Sequence, residues 1–478
     1  MACQHFSTRR WQIIGRPRGL CNFSRIQRFH MTSLLNSGLQ LPATKIKIWR
    51  QVMAEIGKKF WGYTKEEWSW VLQDTGNSAY SLVITATLFP LFYKAIAEGS
   101  GVADADSTAY LSYANSIGTA LVGLMAPILG SIAEYRGFRR PLFTMGTLLG
   151  IISILLMAFT PGGNWGMAWL ILLILYILSN IGFSMSNVFY DASLLDVTVK
   201  TRMSRVSSMG YGMGYIGSCV PFLFYLVFML NIDAMPFTLD WLTRAAFVLT
   251  AVWWFAFTIP YWQNVQQKSW INPSPSPIRA SFKRVKNTIE DMARYRQLFI
   301  FLLAYFLYID GVGTIISMAT AVATDLGIEA TVLVVVLLIV QIVAFPFTVL
   351  YGQLAKRFGD KKIIYVGIVT YIIICIYALS METATDFFIL ACMVGTAQGG
   401  LQALSRSMFG KLVPEGKTNE FFGIYNVFGK FSSIIGTTLL GIITQMTGNS
   451  LNGVFGLIIL FIIGGTLLLG VKEDGVKG

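Results

Sequence analysis

Twelve apolar runs, each near the roughly 20 residues that a helix needs to cross a bilayer, dominate the sequence. They fall at about 75–97, 108–133, 141–160, 166–190, 204–230, 241–264, 298–322, 330–354, 362–380, 387–410, 421–446 and 453–471. Inside hydrocarbon every backbone N–H and C=O must find its partner within the protein, which leaves helices for runs of this length. Composition agrees. The chain of 478 residues is 54% hydrophobic and 13% charged, about half the charge of a soluble domain. The sequence therefore predicts an all-α integral membrane protein with twelve transmembrane helices.

The connecting loops alternate in charge. Loops after spans 1, 3, 5, 7, 9 and 11 lack Lys and Arg and carry acids such as Glu98, Asp104, Asp233, Asp325 and Asp386. Loops after the even spans carry Arg136, Arg139, Arg140, Lys200, Arg202, Lys356, Arg357, Lys361 and Lys362. Because basic loops stay inside, both termini and the even loops are expected in the cytoplasm. The longest internal loop, 265–297, contains Pro273, Pro275 and Pro277 and then Lys283, Arg284 and Lys286. It divides the spans into two groups of six. The expected organisation is a basic extension at 1–52, disordered or not native, and an interfacial amphipathic helix at 53–74. A six-helix half at 75–264, a cytoplasmic linker at 265–297, a second half at 298–471 and a tail at 472–478 follow. The extension reads either as an organelle-targeting presequence or as sequence upstream of a true start at Met31 or Met53; the second is preferred.

The net charge of +13 does not imply nucleic acid, since nine Lys/Arg and no acids lie in residues 1–54 and the rest follow the loop asymmetry. Five cysteines show no paired spacing, and the only histidines, His5 and His30, lie in the extension. No metal site, cofactor or nucleotide-binding loop is expected, nor an enzymatic reaction. The expected partners are a small-molecule substrate, a proton and the lipid bilayer, for a protein acting as a monomer.

A turn recurs in the two halves. Gly130-Ser-Ile-Ala-Glu134-Tyr-Arg-Gly137-Phe-Arg-Arg140 returns as Gly352-Gln-Leu-Ala-Lys356-Arg-Phe-Gly359-Asp-Lys-Lys362, 222 positions on (352 minus 130). Each copy leaves an apolar run, turns at a glycine and enters the next run behind basic residues, as expected of an internal repeat.

Polar groups inside spans are costly and need a reason. Asp310 lies alone among apolar residues near the middle of span 7, followed by Gly311 and Gly313. Lys430, with Asn426 one turn before it, has a similar depth on span 11, and the two charges are expected to pair in one state. Gln398, Gln402 and Arg406 share one face of span 10, by their spacing of four. In the first half the set is Asp74, Asn77 and Tyr80 in span 1, Asn115 in span 2, and Asn180, Asn187 and Asp191 in span 4. Many of the asparagines are equally explained as hydrogen bonds between helices. Glycines at 210, 212, 214 and 217 mark span 5 as a close-packing helix.

The 6+6 repeat and the Gly-x3-Glu-x2-Gly-x-Arg-Arg turn resemble the major facilitator superfamily. Three stretches resemble one family in it, the vacuolar amino-acid effluxers linked to autophagy, and more closely their bacterial relatives. They are Trp70-Val-Leu-Gln-Asp74-Thr-Gly-Asn77-Ser-Ala-Tyr80, Tyr308-Ile-Asp310-Gly311, and Gln398-Gly-Gly-Leu-Gln402-Ala-Leu-Ser-Arg406-Ser407 with Glu420-Phe-Phe-Gly423. The similarity covers about residues 60–470. It implies two six-helix halves in the major facilitator fold, secondary transport by alternating access, and amino-acid export in the vacuolar members. It also implies that Glu134 faces the cytoplasmic end of span 11 as a conformational latch, with Gly130, Gly137 and Arg140, and with Gly352 and Gly359 in the second copy. There Lys356 stands in the acid's place, which puts a matching latch onto span 5 in question.

The expected function is movement of a small organic solute, an amino acid or similar, coupled to protons, across a bacterial cytoplasmic membrane. An uncoupled facilitative exporter and a transporter-like sensor or scaffold are the alternatives, because a fold alone does not separate them.

Overall fold

The structure is a computed structural model and describes residues 61–472 other than 163–164, 273, 291–294, 326–329, 382, 415, 432–433 and 448–452. The extension at 1–52, residues 53–60 of the expected interfacial helix, Glu329, Glu382 and most of the tail lie outside the described residues. Contacts divide the chain into a unit ending at Thr64 and a unit beginning at Lys65, and everything below concerns the second.

The first half holds α1 (Lys65–Gly99), α2 (Asp104–Ala133), α3 (Arg139–Ala158), α4 (Ala168–Ala192), α5 (Met203–Met229) and α6 (Leu239–Asn264). A separate helix, α7 (Pro277–Glu290), follows. The second half holds α8 (Arg296–Asp325), α9 (Ala330–Phe358), α10 (Asp360–Ala378), α11 (Ala384–Leu412), α12 (Thr418–Phe431), α13 (Ile434–Thr447) and α14 (Val454–Leu469). Eleven stretches among the described residues are long and apolar enough to cross a membrane, α12 and α13 counting as one, and α14 is a shorter apolar helix that completes twelve. An isolated β-bridge joins Tyr135 and Ile271.

Local sequence explains the helix ends. Thr383 and Asp386 form a reciprocal capping box at the start of α11, satisfying N–H groups that have no partner within the helix. Gly137 and Gly359 turn the chain between helices at φ +81° and +93°, a region that costs glycine little and other residues much. Along α3, Met145, Ile152 and Leu156 are each more than half exposed. An apolar stripe of this kind on a chain of spans faces hydrocarbon.

The expected interfacial helix needs correction. Residues 65–74 are the opening turns of α1, and Trp70, Gln73 and Asp74 are buried. Aromatic and basic residues there resemble a surface helix in composition, but Trp70 packs inward and Trp68 is half-buried. The same helix contains a π-helical stretch, Tyr80–Leu88, whose wider turns shift the residues that follow to another face.

Two packings join the halves, α2 against α12 and α9 against α5, with α11 also on α5. They are equivalent under the repeat, and each is tightest at a glycine from the repeated turn. A Cβ on Gly130 would lie 2.3 Å from the Asn419 carbonyl oxygen, and one on Gly352 would lie 2.6 Å from Ser208 Cβ.

Candidate functional site

The halves enclose a cavity of about 440 Å³. The first half contributes Asp74, Asn77, Phe183, Asn187, Tyr190, Asp191 and Tyr211 to its wall, and the second contributes Tyr305, Gln402, Arg406, Tyr425, Asn426 and Lys430. A second void of about 380 Å³ shares Ser78, Ser81, Tyr211 and Gln402, and runs past Gln398 toward Phe387 and Val336. Those residues lie toward the helix ends remote from the Gly137 and Gly359 turns. The void therefore extends away from the turns.

Its floor is built on Arg406 of α11, 2% exposed. One guanidinium nitrogen donates to Asp191 at 2.9 Å and another to Asp74 at 3.3 Å. Nε donates to the Ser207 hydroxyl at 3.0 Å, and the Ser207 carbonyl accepts at 3.1 Å. Trp70 and Tyr211 lie against the guanidinium, at 4.6 and 4.2 Å from ring centre to Cζ. Trp70 stacks on Tyr190 at 4.4 Å and donates its indole N–H to the Tyr190 carbonyl. Asn426 donates to the other Asp191 oxygen at 3.2 Å. A planar, always-charged fork between two carboxylates and two rings suits arginine and not lysine. Arg406 belongs to the second half and its acids to the first. The bonds thus close one end of the molecule for as long as they last.

Lys430 enters the cavity above this floor. Its ammonium lies 5.4 Å from the Phe183 ring centre, and among the described residues no carboxylate lies within 4 Å of it. Asn77 donates to Asn187 at 2.6 Å on the facing wall.

Eight of the sequence-predicted residues meet here: Asp74, Asn77, Asn187, Asp191, Gln402, Arg406, Asn426 and Lys430. Gln398 lines the adjoining void. Three take other places. Tyr80 is buried in the first half and shares a hydrogen bond with Ser179. Asn115 accepts from Asn180 at 3.4 Å, away from the cavity. Asp310 is fully buried and accepts the Gly436 N–H. It does not meet Lys430 in this state, because it sits level with a residue six positions further along the chain. A Cβ on Gly436 would come within 2.2 Å of Thr314 Oγ1, so glycine is what lets the backbone reach the acid. Sequence reasoning met Trp70 as the first residue of a family stretch without giving it a role, and missed Ser207 and the tyrosines at 190, 211, 305 and 425. Only Tyr211, set among the glycines of α5, carried a signal.

The turns form a second layer below the floor. Glu134 is buried, and its carboxylate accepts the N–H groups of Asn419 and Glu420 at the start of α12. Burial pushes this carboxyl above its usual range, against the opposing effect of those hydrogen bonds and of Arg284. Arg140 is exposed, and its neighbour Arg139 is the buried partner, paired with Asp196. On the first turn of α3 the two side chains point about 100° apart. In the second half the matching contact to α5 is made not by Lys356, which is exposed, but by Asp360. Asp360 accepts from Ser204 of α5 at 2.6 Å, from Ser407 at 3.0 Å and from Lys411 at 2.7 Å.

The family model described as "Vacuole effluxer Atg22 like" matches residues 63–197 and 193–477. The chain belongs to this family. It is 50% identical over 414 residues to the MFS-type transporter YxiO of Bacillus subtilis (strain 168), covering 86% of this chain and 96% of that one. Autophagy-related protein 22-2 of Aspergillus clavatus is 26% identical over 278 residues, 51% of this chain and 44% of the fungal protein. Among solved structures, the proton:xylose symporter XylE superposes with a TM-score of 0.63 at 13% identity, over 85% of this chain and 94% of that one. The transporter FucP in its outward conformation gives 0.60 at 12% identity, over 84% and 98%. At those identities the likeness is one of fold. This member of the Atg22-like family is a multi-pass membrane transporter of the major facilitator superfamily, with two six-helix halves.

Proposed function

We propose that the chain is a secondary transporter for a small organic solute carrying a carboxylate, an amino acid or similar, working by alternating access and coupled to protons. The observation that carries this reading is the Arg406 floor. A cation of one half held by two acids of the other is a bond that must break for the cavity to open at the other end. Lys430, with no carboxylate within 4 Å among the described residues, is suited to a solute carboxylate, and the amides of Asn77, Asn187 and Asn426 suit its polar remainder. Asp191 or Asp74 is the proton site. A proton on either removes half of the charge that holds Arg406. This replaces the sequence-based choice of Asp310, which is engaged with the Gly436 backbone outside the cavity. The Gly137 and Gly359 turns are assigned to the cytoplasm from the Lys/Arg asymmetry, which makes this the outward-open state, in a bacterial cytoplasmic membrane with both termini inside.

The test is transport in reconstituted vesicles under an imposed pH gradient, with a panel of amino acids and small peptides. At least one should move together with protons. Lys430→Gln should raise KM for a carboxylate solute about tenfold or more, as loss of a hydrogen bond to a charged group implies. Asp191→Asn should exchange solute without proton flux. Full proton-coupled transport by Asp191→Asn and by Asp74→Asn would overturn the proton assignment. No movement of any solute would favour the sensor reading.

A further inference from the structure

The helix α7 between the halves has its faces in an unusual order. At about 100° per residue, Ser281, Arg284 and Thr288 share one sector, and that polar sector is the one packed on the protein. Ser281 and Thr288 are buried. Arg284 donates to Glu420, which is buried at the start of α12, at 3.4 Å, and to the Gly416 carbonyl at 3.3 Å. Lys417 donates to Thr288 at 2.8 Å. Ile278 and Phe282, with Val285 half-buried beside them, form the next sector, and Ile278 is 63% and Phe282 53% exposed. Arg279, Lys283 and Lys286 form the third and are exposed. Glu290 pairs with Lys286 at 3.6 Å, which leaves Arg279 and Lys283 uncompensated in that sector.

A helix in water turns its apolar stripe to the protein. This one turns it outward, next to a basic sector, at the level where the membrane spans end, since Arg284 reaches residues at the first turn of α12. We propose that α7 is an interfacial helix. It binds an anionic membrane surface through Ile278, Phe282, Arg279 and Lys283, and from that position it holds Arg284 on Glu420, beside the Glu134 latch. An apolar stripe beside cations is what an anionic headgroup layer recognises: the stripe enters the acyl boundary and the cations stay among the phosphates. A docked protein is the competing occupant, and the test separates them because it contains no second protein.

The full chain, with its five native cysteines replaced by serine, is reconstituted in liposomes of phosphatidylcholine alone or with phosphatidylglycerol. A spin label is placed at Phe282→Cys or at Asn287→Cys. With phosphatidylglycerol the label at 282 should collide more with oxygen than with a water-soluble nickel chelate, and the label at 287 should do the reverse. Without it the 282 label should move at least twofold toward the chelate, as it also should in Arg279→Gln with Lys283→Gln. Hydrogen exchange at the first turn of α12 should speed up several-fold in the same samples and in Ile278→Gln with Phe282→Gln. A 282 label that is water-exposed in both lipids overturns the proposal and points to a protein partner. Equal immersion in both overturns the anionic requirement. Immersion without any change at α12 overturns the link to the latch.

Discussion

The repeated turns do one job with different chemistry. Each pins the start of a helix in the opposite half. In the first copy, Glu134 accepts backbone N–H groups of α12, where a helix leaves donors unpaired and favours negative charge. In the second, the acid has moved four positions along the turn, from the place held by Lys356 to Asp360. There it joins the Ser204 hydroxyl of α5 to Lys411 of its own half. A latch on backbone tolerates almost any side chain on its target, whereas a latch on side chains can be lost by mutation on either side. The first should therefore respond to changes of backbone packing, and the second to changes of side chain.

The largest effect is expected at Asp360→Ala. It leaves Lys411, 12% exposed, without its acid, and breaking such a pair costs about 3–5 kcal/mol. The melting temperature in detergent should fall by several degrees, and Lys411→Met in the same chain should restore part of the loss. Next is Gly130→Ala. Its methyl would meet the Asn419 backbone, which cannot rotate away, and overpacking costs about 1–3 kcal/mol. Cysteines placed at the cavity floor should become more reactive from the turn side. If Gly352→Ala, which meets the flexible Ser208 side chain as well as backbone, proves as disruptive, the two packings are equally rigid and the contrast fails.

Glu134→Ala removes the cap of α12, at a cost of about 1–2 kcal/mol. The pH dependence has a definite sign. Burial raises this carboxyl, so the latched state binds its proton more tightly than water does. The latch is therefore firmest at low pH and weakens as pH rises through the raised value. Floor accessibility should follow that course in the wild type and stay flat in Glu134→Gln. A parallel slope in both would assign the titration to another group. The smallest change is expected at exposed Lys356→Ala, within about 0.5 kcal/mol of the wild type. A larger loss would mean that the old latch position still acts.

How much of this was legible follows from what kind of signal each residue gives. The spans, the glycine turns and the polar residues of spans 4, 10 and 11 could be found because each is an exception to an apolar pattern. Arg406 on one face with Gln402 was visible from spacing alone. Depth was also countable, which put Asp310 and Lys430 near mid-span. Azimuth was not, so their separation could not be seen. Tyr80 was misplaced because it was grouped with Asp74 and Asn77 by nearness in sequence, although at 100° per residue it lies about 120° from Asp74 around the helix. Asp360 went unnoticed because an acid beside two lysines at a helix start looks like an ordinary surface turn.

The cavity lining has an electrical consequence. It carries two cations, Arg406 and Lys430, and two carboxylates, Asp74 and Asp191, so with all four ionised the empty cavity carries no net charge. One elementary charge crossing 100 mV gains or loses about 2.3 kcal/mol. The empty cavity avoids that bias, so on the proposed function its own charges should give the return step no voltage dependence. On the proposed function, the charge brought in by the solute and its proton is what the cavity leaves for the potential to act on. For a zwitterion with one proton, that makes loading and not return the step that voltage drives.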